Sequence, residues 1–399
     1  MVNCLRYKKK EVINYLKKML RVYDFPIFFT TIALCLFGLI MVYSSSMISA
    51  VARYDFPVDY FYQKQKSALI IGFFGMLVAM IFPYKAYQGK DFLMWITGGT
   101  VALLILTFII GHTAGNAQSW IKIGTRVIQP GEFSKLTIII YLAAIFGKRQ
   151  NRINQIDKAV FPPLILLMAI CFLIAMQPDY GTALIILMIA SSIIICSGMS
   201  LKSLSKLFSL LMVSVIIMFF LVIISGNIQS ILSEERVSRF TSLIEPFETQ
   251  EDAGYQLANS LIAIGAGGLS GQGLGQSFQK YGYLPESHTD FILAIIAEEL
   301  GVFGVSFVLG GLSFIVLRSY ILAARCKDPF GSLLIIGISS MIGIQVFINA
   351  GGVVGLIPIT GITLPFISYG GSSLLLLMVS VGILQNVVMR SNISADRKK

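Results

Sequence analysis

Phe25-Pro26-Ile27-Phe28-Phe29-Thr30-Thr31-Ile32-Ala33-Leu34-Cys35-Leu36-Phe37-Gly38-Leu39-Ile40-Met41-Val42-Tyr43 is a stretch of sequence without a single charge. Wound as an α-helix it rises about 28 Å, close to the hydrocarbon thickness of a bilayer. Lipid offers the backbone no hydrogen-bond partners, so such a run is expected to be helical across its length. Nine more apolar runs follow, at Ser67–Phe82, Phe92–Gly111, Glu132–Phe146, Val160–Gln177, Thr182–Gly198, Leu207–Ile224, Asp290–Leu317, Gly331–Ala350 and Ser372–Met389. The eighth run is long enough to tilt or overhang. Across 399 residues, 56% are hydrophobic and 13% are charged, against roughly 25% charged in soluble domains. That composition excludes a soluble enzyme and a disordered chain. It implies an all-α, polytopic membrane protein of about ten transmembrane helices.

Lysine and arginine fix the orientation. With the N-terminus inside and all ten runs crossing, the inner segments carry 22 of the 31 basic residues and the outer segments 8, with Lys135 inside a span. Both termini are then cytoplasmic. Residues 1–24 form a basic N-terminus, 25–390 a single membrane domain and 391–399 a tail. Residues 226–289 form a large extracytoplasmic loop between spans seven and eight. The net charge of +11 follows from this inner bias and from attraction to anionic lipid, without nucleic acid. The five cysteines fall on spans or the inner side, which excludes an outer disulfide framework.

The polar information sits outside. The 226–289 loop holds 7 acidic and 3 basic residues, and loops of that length usually carry structure or function. Within it, Tyr255–Ile264 has the makings of a short interfacial helix. Gly265, Gly267, Gly268, Gly271, Gly273 and Gly275 form a run that suits either a re-entrant connector or close backbone approach to a phosphate. Pro285-Glu286-Ser287-His288-Thr289-Asp290 opens the eighth span. Thr289 or Asp290 is a natural N-cap, yet Glu286, His288 and Asp290 also crowd a membrane boundary where ionisable groups usually have a task. One of these carboxylates suits a general base toward a sugar or lipid hydroxyl. Deeper in the span, Glu298 and Glu299 require a buried base or a proton path.

Elsewhere, Gln129-Pro130-Gly131-Glu132-Phe133-Ser134-Lys135 places Glu132 and Lys135 on one helix face. They form either an internal ion pair, with Trp120 anchoring the loop before it, or a lysine aimed at phosphate and held by its glutamate. Gln177-Pro178-Asp179-Tyr180-Gly181 reads as a tight outer turn whose Asp179 caps the next helix. Arg236 and Arg239 are either exposed surface charges or planar forks for a pyrophosphate. The run from Gly361 through Thr363, Pro365, Ser368, Tyr369 and Gly370 to Ser372 and Ser373 is too rich in Gly, Pro and hydroxyls for lipid-facing helix. It is expected as broken backbone packed in protein or lining a cavity.

Gln-Pro-Gly-Glu-Phe-Ser-Lys, Gln-Pro-Asp-Tyr-Gly-Thr, Leu-Pro-Glu-Ser-His-Thr-Asp-Phe-Ile and Thr-Leu-Pro-Phe-Ile-Ser-Tyr-Gly-Gly-Ser-Ser together resemble the motifs of the SEDS family (FtsW, RodA, SpoVE), in that family's order. The 284–290 and 363–373 segments look more like its division branch. The resemblance implies a peptidoglycan glycosyltransferase that polymerises lipid II at the outer face of the cytoplasmic membrane, at the division septum. Its implied partners are a class B penicillin-binding transpeptidase and other divisome membrane proteins. The family's essential aspartate falls on Asp290, with Glu132, Lys135, Asp179, Arg236, Arg239, Glu286, His288, Thr289, Tyr369 and Ser372 as substrate-binding candidates. The chain departs from many relatives at Ser119, where they carry Arg, and at Gly131, where they carry Ser or Ala; Lys122 or Arg126 is the candidate replacement for that arginine. No organic cofactor is implied, and a divalent cation such as Mg2+ is a further candidate beside the leaving pyrophosphate. Two rival functions remain open from sequence: a lipid II flippase coupled to protons through Glu298 and Glu299, and a non-enzymatic division scaffold.

Overall fold

The structure is a computed structural model describing residues 23–114, 117–124, 126–154, 161–224, 243, 246–247 and 252–396. Its helices are α1 (Phe25–Tyr54), α2 (Tyr60–Ile81), α3 (Lys90–Ile110), α4 (Pro130–Lys148), α5 (Phe161–Ala175), α6 (Tyr180–Ile195), α7 (Leu201–Val222), α8 (Asp252–Gly267), α9 (Ile292–Arg325), α10 (Pro329–Val353) and α11 (Gly371–Asp396). All except α8 coincide with the ten apolar runs. Eight of the described helices are long and apolar enough to cross a membrane, while α5 and α6 are shorter apolar helices at the expected fifth and sixth positions. The chain is a multi-pass membrane protein. α11 runs on to Asp396, past the expected limit of the membrane domain at residue 390.

Helix ends follow local chemistry. The Asp24 side chain accepts from the Ile27 amide at 3.2 Å and caps α1, and Asp328 likewise caps α10. Prolines sit in the first turns of α1, α4 and α10, where the missing N–H costs nothing. α4, α10 and α11 are the most buried helices and form the centre, with α7 at the periphery.

The two faces of the bundle differ. On one, Arg318 at the end of α9 pairs with Asp24 at 2.8 Å, Tyr84 donates to Asp328 at 2.8 Å, and Gln385 donates to the Asp24 carbonyl. The connections at this face hold the lysine- and arginine-rich segments. The opposite face carries a three-stranded antiparallel sheet, β1 (His112–Ala114), β2 (Ala117–Ile123) and β3 (Arg126–Ile128), in the order β1-β2-β3. The sequence reads as an irregular loop there. Alternating Ser119, Trp120, Ile121 and Lys122, with Ser119 and Ile121 buried and Lys122 exposed, is the strand signal it contains.

α9 spans 34 residues, about 51 Å of helix, too long for one crossing. It is not one continuous helix. Gly301 is non-helical (φ 63°, ψ −155°) and divides it. Backbone carbonyls freed by such a break must find partners in the protein, and the glycine-rich segment supplies them. The Gln272 amide donates to the Glu298 carbonyl at 2.8 Å, Gly273 to Glu299 at 2.9 Å, and the Val302 amide reaches back to Gly268 at 3.2 Å. The glycine run is therefore a re-entrant connector. The expected interfacial helix is longer than Tyr255–Ile264 and packs into the bundle as α8, with Leu257 and Ala263 buried and Ser260 donating to the Val353 carbonyl at 2.8 Å.

Gly271 (φ 76°) lies so close to α9 that a Cβ there would stand 2.2 Å from the Glu299 carbonyl oxygen. Gly271→Ala is expected to destabilise the protein by about 2 kcal/mol or more, read as a lower thermal midpoint in detergent. Gly265→Ala, where no atom lies within 4 Å of the added carbon, should leave it within about 0.5 kcal/mol. Equal midpoints for the two variants would contradict the re-entrant packing.

Candidate functional site

The Leu284–Asp290 motif is held by tertiary contacts. Ser287 donates to the Ser45 carbonyl of α1 at 3.1 Å. Ser368 donates to the Thr289 carbonyl at 2.6 Å, and the Tyr369 amide to the His288 carbonyl at 2.9 Å. Gln65 of α2, fully buried, donates to the Ser368 carbonyl at 3.0 Å and accepts from the Gly370 amide at 3.2 Å. Residues 359–370 are thus non-helical backbone packed largely against protein, while Gly371, Ser372 and Ser373, expected in the same broken run, already belong to the first turn of α11.

The expected N-cap role of Thr289 or Asp290 is not what the structure shows. The N-cap of α9 is Phe291, and no side chain caps it. Thr289 Oγ1 turns instead to Glu286, whose Oε2 accepts it at 2.8 Å, while Arg53 lies 3.8 Å from Glu286 Oε1. Asp290 is half-buried; its backbone carbonyl accepts from Asn349 of α10 at 2.8 Å, and its Oδ2 overlies the Cβ position of Gly361. Tertiary contacts outcompete the local cap.

His288 is buried, its ring packed 4.4 Å from Phe61 and 5.7 Å from Tyr369 between centroids, and its Nδ1 is buried without a partner. Burial pushes its pKa down to about 4, against the opposing pull of Glu286, with Arg53 lowering it further. It stands neutral behind the motif. Burial likewise pushes the Tyr369 phenol up to about 12, with Tyr60 adding to the rise.

A second cluster faces the same segment from α4 and α6. Lys135 Nζ donates to Glu132 Oε1 at 2.6 Å and both are buried, the pairing that both alternatives contain; Glu132 Oε2 is buried without a partner. Asp179 caps α6 by accepting from the Thr182 amide at 3.1 Å and accepts from Gln129 Nε2 at 3.1 Å. Burial raises its pKa, opposed by the Thr182 and Gln129 hydrogen bonds, and nearby Glu132 adds to the rise. Ser372, half-buried at the start of α11, donates to the Val127 carbonyl at 3.2 Å and accepts from the Gln129 amide at 3.3 Å. At Gly131 a methyl would press on Thr182 Cγ2 at 3.2 Å.

The 359–373 segment joins the two clusters. A Cβ on Gly181, in the first turn of α6, would lie 3.3 Å from the Thr360 carbonyl, and one on Gly361 would lie 3.6 Å from Asp290 Oδ2. Glu286, His288, Thr289, Asp290 and Tyr369 therefore share one corner, while Glu132, Lys135, Asp179 and Ser372 share its neighbour. Arg236 and Arg239 lie outside the described residues. Lys122 is exposed on β2 and Arg126 begins β3. Sequence reasoning missed Gln65, Gln129 and Asn349; for Asn349 an amide inside the Gly331–Ala350 apolar run was the available signal, while Gln65 and Gln129 lie just outside such runs.

Glu298 and Glu299 belong to the re-entrant anchor. Ser277 and the Phe278 amide donate to Glu298. Glu299 accepts from Ser44 at 2.7 Å and pairs with buried Lys280 at 2.9 Å. Glu299 thus has the buried base its position requires. A cavity of about 580 Å³ between α8, α9 and α10 begins at Leu293 and is lined by apolar side chains except Ser313. It presents no group for proton or phosphate chemistry.

The family described as cell cycle protein, FtsW/RodA/SpoVE, matches residues 25–393. The chain is 54% identical over 384 residues to the probable peptidoglycan glycosyltransferase FtsW of Bacillus subtilis, covering 96% of this chain and 95% of that one. It is 37% identical over 366 residues to the stage V sporulation protein E of the same organism, covering 91% and 96%. Among solved structures, a chain of a peptidoglycan synthase complex described as coordinating polymerization and crosslinking superposes with a TM-score of 0.70 at 23% identity, covering 92% of this chain and 98% of that chain. Thermus thermophilus RodA superposes with a TM-score of 0.64 at 24% identity, covering 92% and 97%. At those identities the two structures speak for the fold alone.

Lys135→Met leaves Glu132 charged and unpaired, so it is expected to cost about 3–5 kcal/mol in unfolding experiments, with Glu132→Gln added to it recovering part of the loss. A double variant no more stable than the single one would contradict the pairing. For His288 the lowered value means that, between its ordinary 6.5 and about 4, the unfolded chain binds a proton the folded chain refuses. Its contribution to stability is complete above pH 6.5 and declines as the pH falls toward 4. His288→Phe should flatten the fall in thermal midpoint across that window, and an unchanged slope would count against a buried neutral imidazole.

Proposed function

Because the chain belongs to the FtsW/RodA/SpoVE cell cycle protein family, we propose that it is a peptidoglycan glycosyltransferase that polymerises lipid II at the outer face of the cytoplasmic membrane, serving septal synthesis together with a class B penicillin-binding transpeptidase and other divisome proteins. Residues 25–390 act as one domain, with the 226–289 loop outside. The observation that carries the reading is the closure of the 284–290 motif onto the 359–373 segment, which also walls the Glu132–Lys135–Asp179 cluster. The Asp290 carboxylate and the Lys135–Glu132 pair border that one segment, which supports reading them as a base and a cationic site.

Asp290 takes the proton from the acceptor sugar hydroxyl as that oxygen attacks the donor's anomeric carbon. The bond from that carbon to the pyrophosphate oxygen breaks and lipid pyrophosphate departs. A single displacement inverts the configuration and requires no enzyme nucleophile. Lys135, with Arg236 or Arg239, neutralises charge growing on the leaving group. Glu286, His288, Thr289 and Tyr369 shape and orient the acceptor side, and Asp179 and Ser372 border the donor side. Among the described residues no group of three or more His, Cys, Asp or Glu stands close enough to hold a metal. A Mg2+ ion held mainly by substrate phosphates needs only one or two carboxylates, and Glu132 with its unpartnered Oε2 fits that need, adding charge neutralisation.

The flippase alternative asks Glu298 and Glu299 to titrate at depth, and both are engaged in hydrogen bonds or an ion pair. Asp290→Asn is expected to abolish polymerisation of purified lipid II, by at least a hundredfold, with lipid II binding and thermal midpoint retained. Long glycan made by that variant would refute the assignment.

A further inference from the structure

Asn349 lies on α10, whose apolar sequence gives no reason for a carboxamide, and it is 4% exposed. Both N–H bonds of its Nδ2 are used: one to the Asp290 carbonyl and one to the Ile362 carbonyl, each at 2.8 Å. These carbonyls belong to the two non-helical segments that meet at the proposed active corner. Its Oδ1 is buried and has no partner. Asn349 and Asp290 line, with Thr360 and Gly361, a cavity of about 10 Å³, room for at most one water. Only an amide of this length supplies two donors from one atom. Aspartate has none to give, and leucine keeps the bulk without either.

We propose that Asn349 is a positioning residue for glycosyl transfer: its amide clamps the backbone of Asp290 to that of Ile362, fixing the carboxylate over Gly361. This rests on the reading of Asp290 as the base. A misplacement of about 1 Å at a reacting group costs on the order of a hundredfold in rate, so a clamp of this kind acts on turnover more than on binding. The titratable groups packed about the corner are Glu286 and His288 on the motif, Arg53 from α1, Tyr60 and Tyr369 beside His288, and Asp179 and Tyr180 in the turn against Thr360. The described part of α10 within the small cavity adds no charge of its own.

The test uses the full chain purified with its transpeptidase partner, lipid II as the substrate, and binding-competent molecules counted by lipid II binding. Asn349→Leu is expected to lower turnover per binding-competent molecule at least tenfold with KM within twofold of the parent. Asn349→Asp sets a second carboxylate beside Asp290 and should move the acid limb of the pH–rate profile up by at least one unit. Turnover of Asn349→Leu within twofold of the parent, or an unmoved limb in Asn349→Asp, overturns the inference. Loss of lipid II binding by both variants assigns Asn349 to folding alone and overturns it as well. Asp290→Asn in the same assay separates the two levels. If it is inactive while Asn349→Leu turns over normally, only the clamp fails; if it is active, the base assignment fails and the clamp with it.

Discussion

Non-helical backbone at membrane depth must be satisfied by protein, and this structure is arranged around that constraint. α9 breaks at Gly301, and the carbonyls of Glu298 and Glu299 that the break frees accept from Gln272 and Gly273 of the re-entrant segment. The same two residues bind that segment with their side chains: Glu298 receives Ser277 and the Phe278 amide, and Glu299 pairs with Lys280. A buried ion pair is seldom a large source of stability, but losing one partner is costly. Its value here is registry, since it fixes which turn of α9 the connector meets.

From that anchor the order passes to the site. Ser44 of α1 donates to Glu299, and the next residue, Ser45, receives Ser287 of the 284–290 motif through its carbonyl. The motif then meets the 359–373 segment through Ser368 and Tyr369, and that segment meets the Asp179 turn through Thr360. Asp290 is thus placed by contacts from α1, α2 and α10 as well as from the chain on either side of it. A backbone held this way limits where the Asp290 carboxylate can stand, which is what the proposed proton transfer requires.

Much of this was legible in the sequence, for identifiable reasons. Apolar runs report helices in lipid because no alternative backbone structure is stable there, so all ten positions were found. Asp179 as a cap and the broken backbone of residues 361–370 followed from Pro, Gly and Asp chemistry. Three features escaped. The sheet at 112–128 is short, and its strand signal is confined to a few alternating residues. The break at Gly301 has no local signature, since glycine within an apolar helix is common in membranes. Asp290 reads locally as a cap, and only the distant Asn349 shows why it is not one. The partner of Glu299 was expected but could not be named, because Lys280 reaches it across a fold in the chain that spacing does not reveal.

In the proposed function the sugar to be activated sits at the corner formed by residues 284–290 and 359–370. Photocrosslinking with lipid II carrying a diazirine on its acceptor sugar, followed by mass mapping of the labelled peptides, tests this directly. Label on those two segments is expected. Label confined to the opposite face, around Asp24, Tyr84 and Arg318, would contradict it.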